Sequence, residues 1–344
     1  MFVGAKLTKN IIITGGAGFI GSSLIRMLIS LNDPKTYPLI INIDKLTYCG
    51  NLDNLSSINN SNQYVFIKED IINKSSISKI FQQYQPRAII HLAAESHVDN
   101  SINSPRAFID TNIVGTFNLL EVSKIYYEQL SMTDKARFKF IHISTDEVYG
   151  SLNFTDNSCN EGSNYSPNSP YSASKASSDM LVRAWHHTYG LPTITTNCTN
   201  NYGPRQYSEK LIPVVINKAK SGDNIPIYGS GQNIRDWLYV DDHARALISV
   251  LEKGEVGQNY CISGNNEIDN LSLVKKICNI LDRLIPKANG LSYCQQITFI
   301  NDRLGHDLRY SLDASKIINH LGWKPQVLFE EGLVQTIKWY LSTK

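Results

Sequence analysis

The feature that most constrains this chain is the glycine-rich turn TGGAGFIG at residues 14–21. The turn follows an apolar run at residues 11–13 and precedes apolar residues at helical spacing, Leu24, Ile25 and Leu28. Its glycines permit a tight turn that brings the backbone close to a pyrophosphate, and the following helix points free N–H groups at the phosphates. Because a strand precedes the turn and a helix follows it, dinucleotide binding is favoured over a glycine turn without a ligand.

The ends of the next two apolar runs indicate which dinucleotide is bound. The run at residues 39–43 is followed by Asp44, whose carboxylate would accept hydrogen bonds from the adenosine ribose and repel a 2′-phosphate. The run at residues 64–67 leads to Asp70, which is expected to reach the adenine. The sequence therefore predicts NAD as the cofactor, in preference to NADP.

Two further apolar runs, at residues 88–92 and 138–143, alternate with helical stretches, one of them at roughly residues 104–127. Continuous apolar strands separated by helices indicate a parallel sheet that is covered on both faces. We therefore expect an α/β fold, a Rossmann-type doubly wound parallel sheet with helices on both faces. A smaller mixed α/β region is expected to bind the substrate.

The expected division of the chain follows from a change in sequence pattern after about residue 190, where turn-rich segments interrupt shorter helices. We expect an NAD-binding Rossmann domain at residues 1–196, with a later contribution from about 226–250. Residues 197–344 are expected to form the substrate-binding region, partly interleaved with the first. No low-complexity linker separates the two, so they should pack tightly.

Charge and cysteine content argue against several classes of partner. The 33 basic and 31 acidic residues include no long run of one sign, so a nucleic-acid partner is not expected. The six cysteines show no metal-ligand spacing, which predicts free thiols in the cytoplasm and no metal. The sequence also contains no apolar stretch long enough for a membrane span and no pattern typical of a signal peptide.

Two groups of residues suggest acid–base chemistry. Asp146 and Glu147 directly follow the fifth apolar run, where they are either surface turn acids or an acid and a base in one site. In YSASK, Tyr171 and Lys175 are four residues apart and would share one face of a helix. A nearby ammonium is expected to lower the pKa of Tyr171 and to make its phenol a usable base at neutral pH.

The segments TGGAGFIG, HLAAESHVD, STDEVYG and YSASK together resemble the extended short-chain dehydrogenase/reductase family, and the resemblance covers about residues 9–340. Within that family the chain is most similar to the sugar-nucleotide dehydratases that act on dTDP-glucose. The supporting segments are DKLTYCGNL, NNYGP, EKLIP, PIYGSGQNIRDWLYVDDHARAL and DRLGHDLRY. Related epimerases lack the acid pair Asp146–Glu147, and GDP-mannose dehydratases keep only the glutamate.

The resemblance implies a reaction that oxidises C4 of the hexose, eliminates water across C5 and C6, and returns the hydride to C6. NAD should then be tightly bound and regenerated in each turnover. The implied catalytic residues are Thr145, Asp146, Glu147, Tyr171 and Lys175. The implied cofactor contacts are Gly15, Gly18, Phe19, Ile20, Gly21, Asp44, Lys45, Thr47, Asp70, Ile71, Ala93, Ala94, Ser96, Thr111, Tyr171, Lys175 and Asn200.

On the substrate side the resemblance implies a nucleotide-sugar site rich in cations. Its implied residues are His97, Asp99, Thr145, Asn200, Lys210, Leu211, Pro226, Tyr228, Arg235, Asn270, Arg303 and His306. His97 could equally be structural, and the doublet His186–His187 is interpreted as structural. Leu304 departs from the family pattern, which has proline there, so we expect a change in loop stiffness and not a loss of binding.

Several alternatives remain open from the sequence. The nucleotide-sugar substrate could be dTDP-glucose or UDP-glucose, because one methyl and one hydroxyl distinguish the two nucleotides and one or two pocket residues could switch the preference. A sugar-nucleotide 4-epimerase is less favoured because of the acid pair, and a non-catalytic NAD-binding sensor because Thr145, Tyr171 and Lys175 are all present. By analogy with the family, helices near residues 104–127 and 170–187 are expected to form a homodimer interface.

Overall fold

The computed structural model describes residues 10–343, which contain twelve strands. Residues 1–9 lie outside the described residues, and the expectation of no signal peptide at the start of the sequence falls partly on them. The strands are β1 Asn10–Thr14, β2 Ile40–Asp44, β3 Tyr64–Lys68, β4 Pro86–His91, β5 Lys139–Thr145, β6 Thr193–Cys198, β7 Asn200–Tyr202, β8 Ile225–Tyr228, β9 Ile234–Tyr239, β10 Asn259–Ile262, β11 Glu267–Asp269 and β12 Ile297–Ile300.

The helices alternate with these strands through the first two thirds of the chain. They are α1 Phe19–Ser30, α2 Lys74–Tyr84, α3 Val98–Asn103, α4 Arg106–Phe108, α5 Thr116–Gln129, α6 Met132–Lys135, α7 Pro170–Tyr189, α8 Leu211–Ser221, α9 Val240–Lys253, α10 Asn270–Leu284, α11 Ser315–Leu321 and α12 Phe329–Ser342.

Seven parallel strands form the large sheet, in the order β10-β6-β5-β4-β1-β2-β3. All five predicted apolar strands lie in it, which confirms the expected Rossmann-type fold. From β1 the chain adds β2 and β3 on one side and then β4, β5 and β6 on the other, so the strand order reverses between β1 and β4. In open parallel sheets, ligands bind at such a switch point, outside the carboxyl ends of the strands.

Burial on both faces explains why the strands are apolar along their whole length. Ile11 and Ile13 of β1 pack in a core with α1, α9 and α11. Ile12, between them, packs in a second core with α2, α5 and α7 on the opposite face. Successive side chains in a strand point to opposite faces, so a sheet covered on both sides needs apolar residues at every position.

The later part of the chain forms two small sheets around a separate core. The first has the order β11-β9-β7, with β11 antiparallel and β7 parallel to β9, and in the second β8 and β12 are parallel. Helices α8, α10 and α12 pack on them around apolar residues such as Ile216, Ile277 and Ile337. This mixed region is smaller than the large sheet, as the turn-rich sequence indicates.

The interleaving of the two regions differs in position from the prediction. The expected boundary at residue 196 falls inside β6, and residues 225–239 lie mainly in the small sheets, although they belong to the predicted later contribution. The return to the large sheet comes through α9, most of which lies within the predicted 226–250, and through β10, which lies beyond that range. The reason is the amphipathic pattern of α9, whose buried Leu247 and Val250 join the core beside α1.

Three further expectations concern the cysteines, metal sites and membrane spans among residues 10–343. The six cysteines are all free thiols. Residues 10–343 contain no cluster of His, Cys, Asp or Glu that could hold a metal ion. In the same residues, every helix is too short or too polar to cross a membrane.

Candidate active site

A long cleft lies at the carboxyl ends of the strands in the large sheet, at the switch point. All of the residues expected to contact the cofactor line this cleft, as do the expected catalytic residues Thr145, Asp146, Glu147, Tyr171 and Lys175. Of the residues expected to contact the substrate, Thr145, Asn200 and Lys210 line it, and the others lie outside it. The cleft therefore brings together the glycine turn and the acid pair, which are more than 120 residues apart in sequence.

The turn after β1 is shaped so that only glycines fit. Gly15 has φ +73°, and a Cβ on it would lie 2.6 Å from the backbone N of Ala93, two residues past the end of β4. A Cβ on Gly21 would lie 2.3 Å from the carbonyl oxygen of Gly15. Helix α1 then begins at Phe19 with neither a side-chain cap nor an acidic residue in its first turn. Its first N–H groups are free for an anion, so the turn fits a dinucleotide pyrophosphate.

The ends of β2 and β3 place polar groups beside this turn. The carboxylate of Asp44 accepts hydrogen bonds from the N–H of Ala17 at 3.0 Å and from the N–H of Leu46 at 2.8 Å. Lys45 pairs with Asp70 at 3.3 Å and donates to the hydroxyl of Thr111 at 3.3 Å. Asp44 thus fixes the glycine turn and faces the cleft where a ribose would lie.

The acid pair is held at the end of β5 by the backbone that follows the strand. Thr145 ends the strand and caps a short 3₁₀ turn at Asp146–Tyr149, accepting a hydrogen bond from the N–H of Glu147. The hydroxyl of Thr145 donates to Oδ1 of Asp146 at 3.1 Å. Oδ2 of Asp146 is buried without a hydrogen-bond partner in the described residues. The two acids are therefore fixed groups of the cleft and not exposed turn residues.

Burial and charge separate the proton affinities of the two acids. Burial and then the neighbouring Glu147 raise the pKa of Asp146 well above its ordinary value. Burial also raises the pKa of Glu147, but the cations Arg303, Lys210 and Arg235 act against this rise. The pKa of Asp146 is thus raised further than that of Glu147, so Asp146 holds its proton more tightly than Glu147 does.

The pKa of Tyr171 is raised, whereas its spacing from Lys175 predicts a lowered pKa. Burial, followed by the charge of Glu147, raises the pKa of Tyr171 well above its ordinary value, while a hydrogen bond with Thr145 acts in the opposite direction. The ammonium of Lys175 donates to the carbonyl oxygen of Ile143 at 2.7 Å, and burial lowers its own pKa. The prediction of a lowered Tyr171 pKa was wrong for this structure, because burial of the phenol and the charge of Glu147 raise the pKa.

Three cations from distant segments surround Glu147. Lys210, just before α8, donates to the carbonyl oxygen of Ser96 at 2.9 Å, and burial lowers its pKa. Arg303 lies 3.8 Å from Asp99. Arg235 of β9 is buried over the ring of Tyr310 and donates to the carbonyl oxygens of residues 234 and 307. Arg235 is therefore tied into the fold, although its charge still reaches the acid pair.

The remaining expected substrate residues form a rim beyond these cations. Tyr228 at the end of β8 faces the ring of His306 edge-on at 6.3 Å between ring centroids, and His306 pairs with Asp302 at 2.6 Å. Asn270 begins α10, and its N–H donates to the carbonyl of residue 233. Leu211 begins α8 and Pro226 lies in β8. These residues lie on the smaller region and not in the cleft itself.

His97 has a local structural role. Its Nδ1 accepts a hydrogen bond from the N–H of Asn100 and so caps α3, and its Nε2 lies 3.5 Å from Glu209. His186 likewise contacts the carbonyl oxygen of Leu191 at 2.9 Å. Both contacts agree with the structural interpretation of these histidines.

Sequence reasoning missed a π-helical segment, Ile109–Gly115, inside the stretch predicted as one helix. There Asn112 exchanges two hydrogen bonds with the backbone of Glu95 and donates to Ser174 at 2.8 Å. These bonds fix the cleft-lining loop after β4 against α7. No simple spacing marks such a segment, although π turns are frequent at functional sites.

Comparison with known proteins gives the family. The family model described as GDP-mannose 4,6-dehydratase matches residues 12–336. The dTDP-glucose 4,6-dehydratase of Salmonella typhimurium is 56% identical to this chain over 340 residues, which cover 96% of this chain and 92% of that protein.

Two solved structures share the fold of this chain but differ in their sequence identity to it. The dTDP-glucose 4,6-dehydratase of Streptomyces venezuelae, solved with NAD bound, has a TM-score of 0.87 and 41% identity, covering 96% of this chain and 97% of that one. A UDP-glucose 4-epimerase of Thermotoga maritima has a TM-score of 0.83 but 30% identity, covering 96% and 98%. The fold is shared by both classes, so the residues of the cleft have to distinguish them.

Proposed function

This chain belongs to the GDP-mannose 4,6-dehydratase family and, within it, to the dTDP-glucose 4,6-dehydratases, and we propose that it converts dTDP-glucose to dTDP-4-keto-6-deoxyglucose. The observation that carries this proposal is the acid pair, Asp146 and Glu147, in one cleft with Tyr171. An epimerase needs to move a hydride at C4 only and has no use for a second acid and base. A dehydratase needs both to remove water.

The chain's own residues hold the cofactor in the glycine turn after β1 and at Asp44. NAD, when bound there, would supply the hydride chemistry, as an acceptor from C4 in its oxidised form and as a donor to C6 in its reduced form. The orphaned Oδ1 of Asn200, which is buried and lines the cleft, is available to a ligand there. Because the hydride is returned within each cycle, the cofactor is retained from one turnover to the next.

Tyr171 begins the reaction as the base that removes the proton from O4. Burial of the phenol raises the pKa of Tyr171, so contacts within the site have to stabilise its phenolate. Its hydrogen bond with Thr145 acts in this direction, and Thr145 also holds O4 in line. Oxidation of C4 to a ketone then makes the C5 proton acidic, because the C5 carbanion is conjugated with the carbonyl.

Glu147 and Asp146 perform the elimination. Glu147, ionised by Arg303, Lys210 and Arg235, removes the C5 proton. Asp146, which keeps its proton, donates it to the departing C6 hydroxyl, which leaves as water. The elimination leaves a double bond between C5 and C6. Protonated Glu147 then returns its proton to C5 when C6 receives the hydride that reduced NAD would supply. Such a base and acid each contribute roughly 10²- to 10⁴-fold to the rate.

The experiment that tests this proposal separates the two half-reactions. Glu147→Gln should still oxidise C4, so dTDP-glucose would generate bound NADH without loss of water in the mass spectrum. Tyr171→Phe is the matched control and should form neither NADH nor product. Full turnover by Glu147→Gln would contradict the role of Glu147.

The same assay decides the nucleotide. The purified protein is incubated separately with dTDP-glucose and UDP-glucose, without added NAD, and each product is weighed for the loss of one water. We expect loss from dTDP-glucose and turnover without added cofactor. Water loss from UDP-glucose alone would replace the substrate and keep the mechanism, whereas no loss from either, with NAD supplied, would contradict the dehydratase.

The protein is further proposed to be a cytoplasmic homodimer. Val114, Phe117 and Ile125 are exposed along the stretch that leads into and through α5, and Met180 is exposed on the adjacent α7. Phe117 contacts Trp185 edge-on, so the two helices present one apolar surface. An exposed apolar surface of this kind favours a protein interface. Light scattering should give twice the chain mass, and Phe117→Asp should give a monomer; a monomeric wild type would refute the interface.

A further inference from the structure

The ammonium of Lys175 lies in a place where a charge is costly. The side chain is 4% exposed, and its one described hydrogen bond goes to the carbonyl oxygen of Ile143. A carbonyl dipole does not neutralise a full charge, so a buried ammonium needs an anion nearby or it loses its proton. Deprotonated Lys175 would carry no charge to favour the phenolate of Tyr171, which lies four residues earlier on the same face of α7.

Asp179 is placed to be that anion. It follows Lys175 by one helical turn on the same face of α7 and is also 4% exposed. Burial lowers the pKa of Lys175, and the charge of Asp179 is the largest influence in the opposite direction. Among residues 10–343, Asp179 is the only carboxylate with a resolved effect on Lys175.

The other titratable groups that face this pair supply little opposing or supporting charge. His142 of β5 and His91 of β4 are fully buried, and burial lowers the pKa of His142 to about 4 and that of His91 well below its ordinary value. The thiol of Cys198 on β6 has a pKa raised to about 12. Burial raises the pKa of Tyr165, on the loop before α7, above its ordinary value. At neutral pH all four are uncharged, which leaves Lys175 and Asp179 as the local charges.

Asp179 also connects α7 to the strand that carries the acid pair. Its Oδ2 accepts hydrogen bonds from the hydroxyl of Ser144 at 2.7 Å and from that of Tyr165 at 2.8 Å, and from Nδ2 of Asn197 at 3.4 Å. Its Oδ1 lies 3.1 Å from Nε2 of His142. Ser144 directly precedes Thr145, and Asn197 also donates to the Thr145 carbonyl at 3.1 Å.

We propose that Asp179 is a positioning residue of the reaction, which keeps Lys175 protonated beside Tyr171 and ties the end of β5 to α7. The proposal rests on the proposed function, since it assigns Asp179 a role through Lys175 and Tyr171. Asp179 touches neither the sugar nor the cofactor in this role. Its two effects are separable, because the charge acts on Lys175 and the hydrogen bonds act on β5.

The first test measures Lys175 itself and requires neither substrate nor turnover. Lysines labelled with ¹³C at Cε are titrated by NMR, and the Lys175 signal is assigned by its loss in Lys175→Arg. Asp179→Asn keeps the shape and removes the charge, so the Lys175 midpoint should fall by about one pH unit or more. Tyr165→Phe is the matched control, which removes one hydrogen bond to Asp179 and keeps its charge, and should leave the midpoint in place.

An unchanged midpoint in Asp179→Asn would overturn the proposal, whether or not the protein proves to be a dehydratase. If Asp179→Asn does not fold, Asp179→Ser, which also lacks the charge and still accepts a hydrogen bond, is titrated in its place.

The second test follows the rate of NADH formation against pH. Because the ammonium is lost as the pH rises through its pKa, the alkaline decline in rate should begin about one pH unit lower in Asp179→Asn. An equal loss at every pH, as in Tyr165→Phe, would reduce Asp179 to a structural residue.

Discussion

The cofactor side and the substrate side of the cleft are built from different materials. The cofactor side is mainly backbone, namely the turn after β1, the start of α1, and the ends of β2 and β4. The substrate side is made of long side chains: Lys210 lines the cleft, Arg235 and Arg303 lie beyond its lining, and the charges of all three reach Glu147. A site made of backbone has no room for a new side chain, whereas a site made of side chains can lose or exchange one and keep its shape.

The largest effect should come from breaking the backbone site. Gly21→Val places a Cβ 2.3 Å from the Gly15 carbonyl, and overpacking of this kind costs about 1–3 kcal/mol, which is roughly tenfold to hundredfold in NAD affinity. The bound NAD of the purified protein, measured after release by denaturation, should fall accordingly, and activity with it.

The control is Gly290→Ala, because Gly290 has a positive φ, +71°, and no atom lies within 4 Å of its added Cβ, so this variant adds backbone strain without a steric clash. Local strain of about 1–2 kcal/mol is expected there without loss of NAD. If both variants lost NAD equally, the loss in Gly21→Val would reflect general destabilisation and not the turn.

The substrate side should respond differently to the loss of a side chain. Arg303→Ala removes a charge-assisted contact worth about 1.5–3 kcal/mol, so KM for dTDP-glucose should rise roughly tenfold to hundredfold while NAD stays bound. Arg303 also lowers the pKa of Glu147, so the pH below which the base is lost should move upward in this variant. Steady-state kinetics against pH measures both effects.

Arg283→Ala, at the exposed end of α10, is the control for removing an arginine and should change neither KM nor the pH profile. Loss of NAD from Arg303→Ala would contradict the separation of the two sides. An unchanged KM would mean that Arg303 does not face the substrate.

The same contrast explains what the sequence could predict. Glycine spacing, the strand-ending Asp44 and the i,i+4 pair Tyr171–Lys175 are local patterns, so fold, cofactor side and the position of the acid pair were accessible. Arg235 and Arg303 reach Glu147 only through tertiary folding. Their assignment to the substrate site rested on the family resemblance. Without it they would read as ordinary cations.

Some features could not be anticipated because they depend on burial. The pKa of Tyr171 was predicted to fall, since the sequence shows the spacing of Lys175 but not the desolvation of the phenol. The π segment around Asn112 and the network around Asp179 likewise require knowledge of which strands α7 contacts. The expected contribution of about 226–250 differs from the structure for the same reason: residues 226–239 lie mainly in the small sheets and β10 lies beyond the range, because strand pairing is not local.

Low pH should lower the free energy of unfolding, because a buried histidine of the large-sheet region stays unprotonated in the folded chain. Burial lowers the pKa of His243, on α9 against α1, to about 3. The unfolded chain therefore takes up a proton as the pH falls below about 6.5 while the folded chain does not, which costs about 1.4 kcal/mol of stability per pH unit. Urea unfolding at pH 7 and pH 5 should show a smaller decline in His243→Gln than in wild type. His187→Gln, at an exposed position, should decline as wild type does.

The smallest effect is expected at Leu304, where this chain departs from the family. The side chain is 78% exposed, so its replacement removes almost no packing. Leu304→Pro should stabilise the loop by at most about 0.4–1 kcal/mol, through the reduced freedom of the unfolded chain, and KM should change less than roughly fivefold. Leu304→Ala keeps the backbone freedom and serves as the control. Since Arg303 and His306 flank this position, a proline that altered KM strongly would show that the substrate side depends on backbone shape as much as the cofactor side does, and the contrast between the two sides would then fail.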